Sequence, residues 1–378
     1  MKIATLKQLH HTYKEPSVFG RYIHNDTLKH WLSQMPSILK KEQLGISVEG
    51  RKIISLSMGT GPTNILMWSQ MHGNESTTTK AVIDLLNVLG AGTPFSISVL
   101  KRCTIKIIPI LNPDGAKAYT RFNANKVDLN RDAQQLSQPE SKILKALFDQ
   151  FKPDYCFNLH DQRSIFGAGA HNKSATVSFL SPAADAELSV TPNRKKAMAL
   201  IVAMNKYLQE QIPGQVGTYD DAYNNNCVGD AFQLIAPTIL FEAGHFEQDY
   251  QRERTREFIF QSLVVALNQL ITSEFSEEGF ESYFEIPRNE KCFYDLIIRN
   301  TDQQDIAVQF EEQLVGHQID FVPKISKIGK LDTVFGHREL QAHNQQVLSE
   351  NQETLKEGIA IVFVMLNNEK IALKPKFN

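Results

Sequence analysis

His72 and Glu75 stand three residues apart, with Gly73 and Asn74 between them, directly after an apolar run. Residues at that spacing in one helical turn face the same side, so an imidazole and a carboxylate can meet at one point. A second imidazole, His160, closes the run Tyr155–His160, and a second carboxylate, Glu242, closes the run Thr238–Glu242. Two imidazoles and one carboxylate are a normal ligand set for catalytic zinc, with the fourth position left to water. By itself His-x-x-Glu recurs by chance, and its plain alternative is a helix start where Glu75 complements the dipole. Glu242 is harder to dismiss, because an unpaired carboxylate at a buried strand end is costly unless a cation or a task holds it.

The elements that must position these residues are legible as periodicities. Short β-branched runs at Ile53–Met58, Ile65–Gln70, Thr104–Leu111, Tyr155–His160 and Thr238–Glu242 are too continuously apolar for half-exposed strands. They read as inner strands covered on both faces. Between them lie helical patterns at Thr77–Leu89, Ser137–Phe151, Asn193–Gln211 and Tyr250–Phe275. Ser137 and Glu140 have capping-box spacing, and Pro153 follows the end of that helix. The alternation implies an α/β fold, a twisted sheet with helices on both faces, whose chemistry sits outside the carboxyl ends of its strands. His72, Glu75, His160 and Glu242 all occupy such ends. From Ser276 to Asn378 the texture changes to short alternating segments such as Cys292–Ile298, Ile306–Phe310, Gln318–Val322 and Ile359–Phe363. The expected division is therefore a catalytic domain over 1–275 and a small β-rich domain over 276–378.

Composition narrows the partners. The chain has 378 residues, a net charge of −2 and 22% charged residues, with a mean hydropathy of −0.28. The absence of a basic block argues against nucleic acid as the main partner. No run approaches the ~18 apolar residues of a membrane helix, so no membrane partner is expected. The N-terminal stretch lacks the apolar core and cleavage site of a secretory signal, and a cytoplasmic location is the expectation. Cys103, Cys156, Cys227 and Cys292 are far apart and are expected to pack as small hydrophobes.

From about Tyr22 to Phe275 the sequence resembles the zinc carboxypeptidases of the carboxypeptidase A type, the funnelins. The resemblance rests on seven pieces in order: Gly45–Arg51 (GISVEGR), His72–Glu75 (HGNE), Asn112–Gly115 (NPDG), Arg121, Val127–Arg131 (VDLNR), Asn158–His160 (NLH) and Phe241-Glu242. Carried over position by position, it implies that His72, Glu75 and His160 bind one zinc ion per chain and that Glu242 is the general base. It implies Arg121 for the oxyanion, and Asn130 and Arg131 for a substrate carboxylate, which a guanidinium fork can grip by both oxygens. Asp128 would accept from the free ring nitrogen of His72. Asn112–Gly115 is expected to be only a turn. The implied activity is hydrolysis of a C-terminal peptide or peptide-like amide.

Some positions stay open. The family closes its site with a tyrosine upstream of the general base; Tyr219 and Tyr223 are the candidates, and Tyr223 is preferred. Asp161 should point away from His160 in a strand and is expected to be structural. His245 reads as a hydrogen-bonded structural histidine that stands close to the site in sequence. Asn226, Asp230 and Gln233 are candidates for setting specificity. The aspartoacylase and succinylglutamate desuccinylase branch shares HGNE, an LNR and a β-rich C-terminal domain, so the alternative is an N-acyl amino acid deacylase. The Asn-Pro-Asp-Gly segment and the Gly-Arg hairpin favour the peptidase. A non-catalytic binding protein on the same fold is the third reading, disfavoured because every ligand and the base are present. Either substrate class carries a free carboxylate; the oligomeric state is not legible.

Overall fold

The computed structural model describes residues 2–219, 222–272, 275–302 and 304–375. Its centre is an eight-stranded mixed sheet. The strands are β1 (Lys40–Ile46), β2 (Lys52–Met58), β3 (Thr63–Ser69), β4 (Cys103–Ile108), β5 (Tyr155–Asp161), β7 (Val177–Leu180), β8 (Val216–Thr218) and β9 (Thr238–Ala243). Their spatial order is β1-β2-β4-β3-β5-β9-β7-β8. Strands β4, β3, β5 and β9 run parallel at the middle, so their carboxyl ends open on one edge. The short β6 (Phe166–Ala168) leaves this sheet and pairs with β10 (Asn289–Lys291).

Alternation along the inner strands divides the core in two. Met67, Phe157 and Phe241 join the cluster under helices α3 (Thr77–Gly90), α7 (Pro192–Gln209) and α9 (Glu253–Leu270), while Leu66, Trp68 and Cys156 join the cluster under α6 (Pro139–Phe151) and α8 (Val228–Gln233). Helices α1 (Ile3–Tyr13), α2 (Asn25–Gln34) and α4 (Pro94–Arg102) add to the first layer, and α5 (Pro113–Ala118) follows β4. With one residue per face, Phe157 and Leu159 turned to α3 place His160 on the opposite side, and Ile239 and Phe241 do the same for Glu242. His160 and Glu242 are also direct register partners across β5 and β9.

Three local expectations are corrected. The helix after Ser137 begins at Pro139, and Ser137 is no cap: its N–H and hydroxyl both bond Asp132. Proline disfavours a helical residue before it and itself suits the first helical turn. The last long helix starts at Glu253, later than Tyr250, because Asp249 accepts from the N–H groups of Glu253, Arg254 and Thr255 and sets the start there. The Ile359–Phe363 segment forms a strand only from Phe363.

A separate β-rich region follows. One sheet has the order β13-β12-β11-β14, with β11 Phe293–Thr301, β12 Asp305–Val315, β13 Gln318–Gly329 and β14 Phe335–Gln345. A smaller one joins β15 (Val347–Leu348), β16 (Phe363–Leu366) and β17 (Glu369–Ala372). Among the described residues no single helix is long and apolar enough to cross a membrane.

Helices α3 and α9 are pinned by a fully buried ion pair. The Arg256 guanidinium donates to both oxygens of Asp84, at 2.7 and 2.6 Å, and to the carbonyls of Glu15 and Val18. Removing one partner of such a pair leaves an uncompensated charge, so Asp84→Asn is expected to lower the unfolding free energy by about 3–5 kcal/mol in urea titrations. Glu253 beside it meets Lys14, Lys80 and Arg256. Burial opposes its ionisation, yet Lys80 and Arg256 prevail and bring its pKa from 4.5 to about 2. A depressed carboxylate contributes stability that is present above pH 4.5 and lost as pH falls through about 2. That loss, up to roughly 3 kcal/mol, should be flattened in Glu253→Gln when stability is measured across this window.

Candidate active site

The loop after β3 carries His72 and Glu75 over the end of β5. His72 Nδ1 lies 2.9 Å from one Glu75 oxygen, His160 Nδ1 lies 2.8 Å from the other, and the two Nδ1 atoms are 3.1 Å apart. All three residues are buried. The loop can sit so close because Gly73 crosses Gly115 backbone to backbone: a Cβ on Gly73 would come within 1.9 Å of the Gly115 carbonyl carbon. The Asn112–Gly115 segment is thus more than a turn. It opens α5, where the Asn112 side chain accepts from Gly115 N–H and donates to the Met71 carbonyl just before His72. Asp114 in turn holds Ser47, the Glu49 N–H and Arg51, tying the Gly45–Arg51 hairpin to the same frame.

The donor arithmetic at His72 points to a cation. Its Nε2 lies 2.9 Å from Asp128, so both ring nitrogens face carboxylates. A neutral imidazole can donate to only one of them. With the proton on Nε2 toward Asp128, the His72 Nδ1 lone pair, the His160 Nδ1 and the Glu75 carboxylate face one point, an arrangement that could hold a metal ion. Two nitrogens ~2.0–2.1 Å from a tetrahedral zinc stand ~3.3 Å apart, close to the separation found. The three side chains are the one group of this kind among the described residues. Without the ion, burial opposes protonation of His72, but Glu75 and Asp128 override it and raise its pKa. Burial holds the His160 pKa down. Burial likewise resists ionisation of Glu75, and the two imidazoles prevail, holding its carboxyl well below the usual range.

Glu242 shares this edge with a buried Oε2 that has no hydrogen-bond partner. Burial first, then Glu75 and Asp161, push its pKa well above the ordinary carboxyl value. Arg121 reaches Asp128 at 3.0 Å and Glu75 at 3.4 Å. Asp128 caps the 3-10 turn Leu129–Arg131 through the Asn130 N–H. The Asn130 side chain accepts from Val228 N–H of α8, and Arg131 is exposed, with one guanidinium nitrogen on the Asn130 carbonyl.

A cavity of 1120 Å³ gathers most of these side chains: His72, Glu75, Arg121, Asn130, Arg131, His160 and Glu242 all line it. Tyr219 lines it as well, its hydroxyl pKa raised by burial and by Glu242, whereas the half-buried Tyr223 does not. Asp161 points to the other face of β5, where its carboxylate accepts from the N–H groups of Thr77 and Thr78 at the start of α3. His245 is buried against His337 and Tyr250, away from the cavity, and burial pushes its pKa well down. Neither of its ring nitrogens is hydrogen-bonded, contrary to the expected structural role of that kind. Of the specificity candidates, Asp230 lines the cavity, while Gln233 bonds the Thr238 N–H in the core. Sequence reasoning missed the far wall altogether. Gln309 to Gln313 and Lys324 to Ser326, from β12 and β13, line the same cavity, and Glu312 bonds Arg21 and Tyr119. No local pattern signals such a pairing.

A family model described as zinc carboxypeptidase matches residues 24–228. The probable carboxypeptidase 2 of Arthroderma benhamiae is 28% identical over 125 residues, which cover 30% of this chain and 24% of that protein. The match thus spans about a quarter of the curated relative's length. Among solved structures, the metallo-carboxypeptidase of Burkholderia cenocepacia superposes with a TM-score of 0.54 at 20% identity, covering 67% of this chain and 70% of the other. Carboxypeptidase A from Helicoverpa armigera gives 0.53 at 16% identity, covering 72% and 81%. At those identities the likeness is one of fold.

The convergence of Nδ1, Nδ1 and carboxylate generates a direct test. Purified protein is expected to carry zinc near one ion per chain by atomic emission. His160→Ala or Glu75→Ala is expected to reduce it to about a tenth or less, since a site left with two protein ligands loses most of its affinity.

Proposed function

The chain belongs to the zinc carboxypeptidase family, and from that premise we propose that it hydrolyses the C-terminal amide bond of a peptide or peptide-like substrate. The observation that carries the proposal is the buried Glu242, with an oxygen that no protein group satisfies, on the edge where His72 Nδ1, His160 Nδ1 and Glu75 converge. His72, Glu75 and His160 would hold the zinc. When bound, the metal supplies a Lewis acid for the carbonyl oxygen and brings the ionisation of water toward neutral pH.

The protein's own groups then have distinct tasks. Asp128 keeps the His72 proton on Nε2 and so leaves Nδ1 free to ligate. Glu242 takes the proton from the attacking water at its carboxylate and delivers it to the leaving nitrogen. Arg121 lines the cavity beside Glu75 and donates to the oxygen that gains negative charge as the carbonyl turns tetrahedral. Asn130 and Arg131 hold the substrate's terminal carboxylate, and the exposed guanidinium of Arg131 has donors left for both oxygens. Tyr219, which lines the cavity, supports a reading in which it, and not Tyr223, covers a bound substrate.

Glu242→Gln is expected to retain zinc while lowering kcat by about 1000-fold, within the span lost with a general base. Activity in the metal-stripped protein would overturn the reading. Assays of peptides with free and amidated C-termini, beside N-acyl amino acids, examine the carboxylate clamp. Amidation should cost at least about tenfold in kcat/KM, and Arg131→Ala should erase the difference. Equal cutting of both peptides would remove the clamp role, and exclusive turnover of acyl amino acids would assign a deacylase.

A further inference from the structure

The β-rich C-terminal region does not hang free of the cavity; it forms one of its borders. Glu312 of β12, its side chain 28% exposed, accepts from the buried Arg21 at 3.0 and 3.2 Å and from the Tyr119 hydroxyl. Around it, Gln309 Nε2 donates to Ser164 Oγ at 2.9 Å, and His337 Nε2 meets the Ser164 carbonyl at 2.6 Å. The Tyr250 hydroxyl bonds Asp295 at 3.0 Å, while its ring packs on Phe310 and Phe321. Pairing of β6 with β10 adds a backbone seam. An ion pair on the buried Arg21, aromatic contacts and a strand pair thus hold this surface against the main body.

The wall is polar where it faces the cavity. Lys324 of β13 and Glu311 of β12 form a 2.7 Å pair there, with side chains 40% and 49% exposed. Exposed pairs contribute little to stability, so the fold has no evident need of this one. The clamp residue Asn130 is bonded to α8, whereas Glu312 is bonded to Arg21 and Tyr119, so clamp and wall belong to different borders of the cavity. On the proposed carboxylate clamp, a substrate anchored at the α8 border would extend across the cavity that β12 and β13 also line.

We propose that the β12–β13 face is a substrate-binding wall, on which Glu311 and Lys324 hold the backbone and charged groups of a peptide on the amino side of the cleaved bond. The proposal rests on the carboxypeptidase reading for the direction in which the substrate lies. It assigns the C-terminal region a part in recognition that the metal-binding edge alone cannot supply.

The test is a ladder of peptides sharing one C-terminal residue, from an acetylated amino acid to a tetrapeptide. Each is titrated by calorimetry into zinc-loaded Glu242→Gln protein, with and without the added changes Glu311→Ala and Lys324→Ala. Both side chains are about half exposed, so folding should survive. Affinity is expected to rise by about tenfold along the ladder, one or two solvent-facing charged contacts' worth, and the rise should vanish in the double-wall variant. Affinity independent of length, or an equal rise in the variant, overturns the wall. Cleavage of the same ladder by native protein keeps the two readings apart. A length-dependent rise without cleavage of any peptide leaves the wall standing and removes the carboxypeptidase. Cleavage without such a rise does the reverse.

Discussion

Two buried carboxylates, Glu75 and Glu242, share the carboxyl edge of three parallel strands, and Asp128 and Asp161 stand close by. Like charges at that density repel, and burial raises the cost of each. The surrounding architecture answers the problem group by group. Asp161 is spent on the N–H groups that open α3, Asp128 on His72 and Arg121, and Glu75 on two imidazoles. Glu242 alone keeps an unsatisfied oxygen. The strand order matters because it brings residues far apart in the sequence onto one face, with His160 and Glu242 paired in register.

The motifs that perform no chemistry build the frame that lets the others do so. Gly73 permits a backbone approach to Gly115 that any side chain there would block, and Asn112 closes it with two hydrogen bonds. Asp114 then ties the crossing to the β1–β2 hairpin through Ser47 and Arg51. Three of the recognisable sequence pieces are thus one contact network, of which only His72 and Glu75 supply side chains to the candidate metal cluster.

What was legible in the sequence follows from how local the signals are. The inner strands announce themselves by continuous β-branched runs, and their ends deliver His72, Glu75, His160 and Glu242 to one edge as expected from that placement. Helix starts were less legible where a proline or a distant carboxylate decides them, as at Pro139 and Asp249. The preference between Tyr219 and Tyr223 could not come from spacing, because the cavity distinguishes them only through the fold. The partnership of Arg21 with Glu312, 291 positions apart, has no sequence signature at all. Nor does burial of His245 without a hydrogen bond, which depends on the arrival of His337 from β14.

That long reach has a consequence for the order in which the molecule comes into being. Synthesis proceeds from the amino end, so the edge that gathers His72, Glu75, His160 and Glu242 has all its residues once Glu242 has left the ribosome. Arg21 and Tyr119 must then wait, their partner still unmade, until β12 emerges. A buried guanidinium without its carboxylate is costly, and the nascent chain therefore has its cleft open along one side until β12 has emerged. The border of the cavity that β12 and β13 line is therefore formed only after the edge that gathers His72, Glu75, His160 and Glu242.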